Sequence, residues 1–287
     1  MKTEKNHQEP EKTQELPADE QMGASLADYV YAATEKSTLV PKIFREVYGF
    51  LAPEEAVCPL SFVTNRDLEN CANALRLKSD MNLLDLACGG GGPGLWVARK
   101  TGTNLVGIDY STKALEQASR RASVFGIFAK AKYCFGSMRA TGLEPETFDG
   151  AISIDALWMA PDKLAVLKEV RRLLRCQRWF VFTTWEAKSP GPGSLPTNTE
   201  YRSMLKDAGF KIETYEETVN WEMLQRGVYE QWILQKDALA QEMGSSAAEM
   251  LVGEAMFLTA KLDDGTDRLS HIRRIFVACQ SEDPLKT

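Results

Sequence analysis

The sequence predicts a doubly wound α/β fold, with a mostly parallel seven-stranded sheet and helices on both faces. Two observations predict it. Short, near-continuous apolar runs alternate with amphipathic stretches at helical spacing between Asn82 and Glu186, the pattern of strands buried on both faces. A glycine-rich loop, "CGGGGPG" (Cys88–Gly94), follows the first of those runs, at the sheet edge where such folds hold their ligands.

The elements follow in order. The opening "MKTEKNHQEPEKTQELPADE" is charged, mixed in sign and poor in aliphatics. It cannot bury enough surface to offset ordering, so residues 1–22 read as a disordered tail. Residues 23–80 read as an N-terminal helical cap. Leu26, Val30 and Ala33 fall at helical spacing, and a second short helix starts near Pro41, since proline is tolerated in a first turn. "VTNRDLENCANALRL" reads as a third helix, with Thr64 or Asn65 as its N-cap. This cap either packs against the body or forms a lid over a ligand.

Residues 81–287 form the body. "NLLDLAC", "NLVGIDY", "AKYCFGS", "FDGAISIDAL" and "WFVFTTWE" read as strands, separated by the helices "GLWVARKT", "TKALEQASRRASVFG" and "DKLAVLKEVRRLLR". "EYRSMLKDAGF" is a helix closing on Gly209, and "KIETYEETV" is the sixth strand. A helical insertion at about 221–265 follows, with helices from Trp221 to about Met243 and from Ala247 to about Leu262. The last strand, "HIRRIFVACQ", returns after it, so its pairing need not be parallel.

Composition narrows the function. The 287-residue chain carries a net charge of −6 and shows no dense Lys/Arg block, which argues against nucleic acid and for a small-molecule partner. The six cysteines, Cys58, Cys71, Cys88, Cys134, Cys176 and Cys279, are scattered without a C-x-x-C pair or nearby histidines. No metal site or disulfide framework is expected, and free thiols suit a reducing cytoplasm. No signal peptide opens the chain, and no apolar run approaches the roughly 20 residues that cross a bilayer. A cytoplasmic protein without a membrane partner is the expectation.

Read literally, Gly89, Gly91 and Gly94 satisfy the dinucleotide fingerprint G-x-G-x-x-G. Three details tilt the reading toward an adenosine ligand without a pyrophosphate. Asp85 ends the strand before the loop, where a carboxylate repels phosphate but suits an ammonium or sulfonium group. Pro93 removes an N–H that a pyrophosphate would use. Asp109 ends the next strand, where it can accept both ribose hydroxyls of either kind of adenosine ligand.

At these residues the chain resembles the class I S-adenosylmethionine-dependent methyltransferases, especially bacterial small-molecule methyltransferases with a Rossmann-like fold. "LLDLACGGGGPG" is similar to their D-L-G-C-G-x-G motif, and Asp109 in "VGIDYS" to their acid at the end of the second strand. "FGSMRATGLEPETFDGAISIDALWM", "EVRRLLRCQRWFVFTTWE" and "LKDAGFKI" match later segments in order. The resemblance implies S-adenosylmethionine as cofactor. It implies that Asp85 holds the methionine ammonium, and that Gly89 and Gly91 line the methionine and ribose. Asp109 would take the ribose hydroxyls, Tyr110 would pack on adenine, and Ser137 and Met138 would sit at the adenine edge. Asp155 would lie beneath the methionine, near the reacting methyl. Three departures stand out: Ala87 replaces the first glycine, Ser137 replaces an aspartate, and Cys176-Gln177-Arg178 replaces a glycine turn.

The implied activity is methyl transfer to a small-molecule acceptor, a specialised metabolite, by in-line displacement driven by proximity. A non-catalytic S-adenosylmethionine-binding or interaction protein is the alternative. The catalytic candidates are His271, the one histidine placed to act as a general base, and Asp155, a better-placed acid or anchor near the methyl whose expected role is to hold the cofactor. Acceptor contacts are expected from Phe62, Trp158 and Trp221. Trp221, Leu224, Val228 and Trp232 share one helical face, which reads either as plain core or as an acceptor pocket. Glu216 and Glu217 are either solvated charges or contacts to a cationic acceptor.

Overall fold

The computed structural model describes residues 11–12, 15–49, 61–188 and 201–282. The seven expected strands are β2 (Asn82–Leu86), β3 (Asn104–Asp109), β4 (Ala131–Phe135), β5 (Phe148–Ile154), β6 (Leu174–Ala187), β7 (Phe210–Glu217) and β8 (Ile272–Ser281). A two-residue strand, β1 (Glu11–Lys12), extends the sheet by pairing parallel to β4. The order is β1-β4-β3-β2-β5-β6-β8-β7. Pairing is parallel from β1 to β6, and β8 runs antiparallel to both β6 and β7. From β2 the chain steps outward to β3 and β4, then returns to lay β5 on the other side of β2. The strand order reverses there, and the crevice beyond the carboxyl ends of β2 and β5 is where this architecture binds ligands.

Helices cover both faces. On one lie α3 (Asn65–Leu75), α4 (Gly92–Thr101) and α5 (Thr112–Val124), packed through Leu68, Leu95 and Leu115. On the other lie α6 (Lys163–Leu173) and α7 (Tyr201–Asp207), through Val166, Val170 and Leu205. Side-chain caps fix their starts. Thr64 and Asp67 form a reciprocal capping box on α3, Ser111 caps α5 and Asp162 caps α6. A third core joins α2 (Leu39–Tyr48) to α8 (Trp221–Leu234), α9 (Lys236–Met243) and α10 (Ser245–Thr259). Trp221, Val228 and Trp232 are buried in it, so this stripe serves as core.

Four boundaries differ from the sequence reading. Helix α1 (Ala18–Thr34) starts inside the expected tail, and β1 also lies there; docking on the sheet and on α5 supplies the partners that composition alone did not. The long helix expected from Trp221 breaks at Gln235, and the bend turns Leu239 and Met243 into the third core. The following helix runs Ser245–Thr259 rather than from Ala247 to about Leu262. Finally, α6 stops at Leu173 and β6 begins at once, so "LRCQR" is strand with an irregular register rather than helix end and turn. Cys58 lies outside the described residues. Among those described, no helix is long and apolar enough to cross a membrane.

Candidate functional site

The loop after β2 is built from unusual backbone. Gly89 and Gly91 adopt positive φ (52° and 77°), and Ala87 does the same at 56°. The position where related motifs carry glycine thus keeps its left-handed geometry here, at a cost of roughly 1 kcal/mol for the Cβ. Gln177 repeats this at φ 57° in the second departure from glycine. At both positions a side chain other than glycine holds the left-handed backbone, in the loop after β2 and in the irregular start of β6.

Asp85 ends β2 beneath this loop and is only 2% exposed. It lies against Gly94, where a Cβ would collide with its carboxylate. The third glycine of the fingerprint therefore makes room for Asp85. Its Oδ2 is buried with no hydrogen-bond partner among the described residues. Burial, then the charge of Asp109, pushes its carboxyl up to about 8. Asp109 is 5% exposed. It accepts at Oδ2 from Gly89 N (2.7 Å) and at Oδ1 from Ser111 N (2.8 Å). Burial raises it to about 6, against the lowering effect of the backbone N–H groups.

These shifts set a pH dependence. The raised carboxyl of Asp85 adds stability that is full below the unfolded value of about 4 and is lost as pH rises through about 8. The melting temperature of the ligand-free protein is expected to fall from pH 6 to 9, and Asp85→Asn should flatten that fall in a thermal denaturation series. An unchanged slope in the variant would assign the effect elsewhere.

Beside Asp109 lies a cleft partly open to solvent. Ala87, Asp109 and Tyr110 line one side, Gly136 and Met138 a second, and Met159, Ala160 and Pro161 a third. Glu20 of α1 closes it. Ser137 is buried, and its hydroxyl accepts from Arg139 N (3.2 Å), so its neighbours Gly136 and Met138 form the wall. The donor set suits an adenosine sulfonium at two points: the orphan Oδ2 of Asp85 suits a cationic group, and Asp109 reaches the cleft with its carboxylate. Asp85, Gly89 and Gly91 are not among the residues lining the cleft, and Tyr31 takes the space beside Gly89 and Ala118 that beside Gly91.

Asp155 stands at the end of β5, with φ 58°. Its Oδ1 accepts from Thr183 Oγ1 (2.7 Å) and Arg274 Nε (2.8 Å), and its Oδ2 from Phe62 N (2.9 Å), Ser61 Oγ (3.2 Å) and Arg274 Nη2 (3.3 Å). Both carboxylate oxygens of Asp155 are thus engaged by this chain's own donors. Arg274, 1% exposed, also donates from Nη1 to Asp67 Oδ2 (2.9 Å) and Thr218 Oγ1 (3.2 Å). His271 lies in the turn before β8, with Nε2 2.8 Å from Thr266 Oγ1, and is not among the residues lining the cleft.

Two of the three expected acceptor residues come together. Trp185 meets Phe62 (5.8 Å) and Trp158 (6.2 Å) edge-on, and Trp158 donates from Nε1 to Asp155 O (3.0 Å). Trp158 remains 39% exposed and Met159 45%. Trp221 is held at the start of α8, donating to Glu217 Oε1 (2.8 Å); Glu216 is exposed. Among the described residues, no group of three His, Cys, Asp or Glu side chains is placed to hold a metal ion. Sequence reasoning missed Arg274, Asp67, Thr183, Trp185 and the α1 residues. The one signal for Arg274 was an arginine on the apolar parity of "HIRRIFVACQ".

Comparison with known proteins bears on the family and the fold. A family model described as a methyltransferase domain matches residues 77–242, more than half of the chain. A sterol 24-C-methyltransferase of Candida albicans is 32% identical over 114 residues, covering 40% of this chain and 30% of that protein. Methyltransferase GfsG of Streptomyces halstedii is 28% identical over 128 residues, covering 45% and 46%. The chain thus spans less than half the length of these curated relatives. Among solved structures, the [4+2]-cyclase SpnF shares the fold with a TM-score of 0.71 at 17% identity, over 95% of this chain and 99% of that one. A geranyl diphosphate methyltransferase bound to its substrate and sinefungin gives 0.53 at 18%, over 74% and 76%.

Proposed function

Because this chain belongs to the class I S-adenosylmethionine-dependent methyltransferases, we propose that it methylates a small, predominantly apolar acceptor of the specialised-metabolite kind. The cofactor supplies a methyl carbon activated by a sulfonium leaving group. What the protein contributes is placement. Asp85 offers its unpartnered Oδ2 to the cationic methionine end, and Asp109 the carboxylate for the ribose hydroxyls. Tyr110 and Met138, which line the cleft, would border the base. Asp155 fixes the turn carrying Trp158 and Met159, so acceptor and methyl can be brought in line with water excluded.

The observation that carries the acceptor class is Trp158. It is an exposed indole on the turn whose next residues wall the cleft, set against the rings of Trp185 and, behind it, Phe62. Relatives named for sterol, squalene and botryococcene methylation act on apolar molecules of this kind. The net charge of −6 argues against a polyanionic acceptor. With Asp155 engaged on both oxygens and His271 outside the cleft lining, the reading rests on proximity rather than a dedicated base.

The test is calorimetric titration with S-adenosylhomocysteine, with NAD in a parallel cell. It is followed by incubation with isotopically labelled S-adenosylmethionine and a panel of sterols, terpene alcohols and polyketides, scored by label transfer in mass spectrometry. Binding of the first ligand alone and label on an apolar member support the reading. Binding of NAD, or label only on polar members, would overturn it.

A further inference from the structure

We propose that the acceptor is an alcohol whose hydroxyl is read by Gln225 of α8 together with the indole N–H groups of Trp185 and Trp232; this rests on the methyltransferase reading above and names the acceptor's polar group. Three buried side-chain atoms of the third core have no hydrogen-bond partner among the described residues: Gln225 Oε1, Trp185 Nε1 and Trp232 Nε1. Their residues are 3%, 7% and 2% exposed. All three gather on one pair of rings, Phe62 and Tyr229, which meet edge-on at 5.9 Å. Trp185 stands 5.8 Å from Phe62, Trp232 stands 5.5 Å from Tyr229, and Gln225 Nε2 donates to Tyr229 Oη (2.6 Å).

The bonds of Tyr229 fix which end of the Gln225 amide is left over. The Tyr229 hydroxyl gives its one proton to Glu254 Oε1 (2.7 Å). Toward Gln225 it can therefore only accept, and the amide must turn its NH2 to it. The carbonyl Oε1 is held free as a result. What remains is one acceptor and two donors inside aromatic walls. An orphaned buried polar group is destabilising, and three in one cluster mark a partner that comes from outside. A hydroxyl fits in number and in kind, since it donates one proton and accepts on two lone pairs. A carbonyl would leave Gln225 Oε1 unanswered, and an ammonium would leave both indoles so.

The cluster is continuous with the transfer site. Trp185 stands edge-on to Trp158 (6.2 Å), the exposed indole on the turn beside the cleft. Phe62 is tied to the same turn through its N–H, which donates to Asp155 Oδ2 (2.9 Å). An apolar body lying along Trp158 thus turns its polar end toward Trp185 and Gln225. The hydroxyl serves as a handle that orients the acceptor, and orientation is what a transfer driven by proximity needs.

The experiment is a fragment titration of the full chain with S-adenosylhomocysteine present, read in the indole N–H resonances by heteronuclear NMR. Trp185→Phe and Trp232→Phe assign the two peaks. Cyclohexanol, cyclohexanone and methylcyclohexane share one ring and differ in the polar group. Both indole peaks should move with cyclohexanol, which is expected to bind tightest of the three and about tenfold or more tighter than the hydrocarbon. Gln225→Met should weaken cyclohexanol about fivefold or more and leave cyclohexanone, which makes no use of Oε1, within about twofold. Trp185→Phe should weaken both. A merely structural Gln225 would weaken alcohol and ketone alike, and that result overturns the proposal. So does cyclohexanol binding no tighter than the other two, the mark of plain apolar core, or indole peaks that no fragment moves, the mark of groups answered by water only. If Gln225→Met fails to fold, the wild-type ranking of the three fragments decides the matter. If the wild type binds no S-adenosylhomocysteine, the methyltransferase reading has failed; binding of that ligand with silent indoles removes the alcohol subsite alone.

Discussion

Asp109→Ala is expected to weaken S-adenosylhomocysteine binding by about a hundredfold or more. Two losses combine. The ribose loses its carboxylate acceptor, and the glycine loop loses the bond from Gly89 N that ties it to β3. Hydrogen bonds to charged groups contribute about 1.5–3 kcal/mol each, so the pair accounts for the two decades. Gly89 N–H would also be left buried without its acceptor. Asp109→Asn keeps one acceptor oxygen and should retain an intermediate affinity. Calorimetry of the three proteins decides it, and an alanine variant within a few-fold of the wild type would remove Asp109 from the cofactor site.

The second large effect is on stability. Arg274→Met should lower the melting temperature by about 10 °C, because it strands two buried carboxylates, Asp155 and Asp67, against which the guanidinium is set. Breaking a buried ion pair on one side typically costs about 3–5 kcal/mol, and for a chain of this size each kcal/mol is worth roughly 2–4 °C. Adding Asp155→Asn should recover part of the loss, since the amide carries no unpaired charge. Differential scanning calorimetry of the single and double variants checks this, and equal melting temperatures for wild type and Arg274→Met would show that the network carries no net stability.

What could be read from the sequence was local. The strands, the glycine loop, Asp85, Asp109, Tyr110 and Met138 lie within a few residues of signals that chain geometry fixes: a strand end, a left-handed turn, a helix start. Asp155 was placed correctly at the end of β5, but its partners could not be seen, because Arg274 and Phe62 reach it from opposite ends of the chain. Alternation in β8 puts Ile272, Arg274, Phe276 and Ala278 on one face, and a charge in that company was the only hint. The start of α1 was hidden for another reason. Its docking is polar, so hydrophobic periodicity, which locates helices that bury an apolar stripe, had little to find there.

The position of β8 has a consequence for how the chain matures. It follows β6 and β7 in the chain, yet it inserts between them rather than adding to an edge. Until it arrives, both neighbours present unpaired edges, the kind of surface that recruits other chains, and Asp155 waits for the arginine that neutralises it. The cofactor half of the sheet, complete by β6, can assemble well before that. Growing chains that have not yet added β8 would therefore hold a nearly finished cofactor cleft beside an open, aggregation-prone flank. A truncation before Ile272 should be felt first as lost solubility rather than as lost ligand binding.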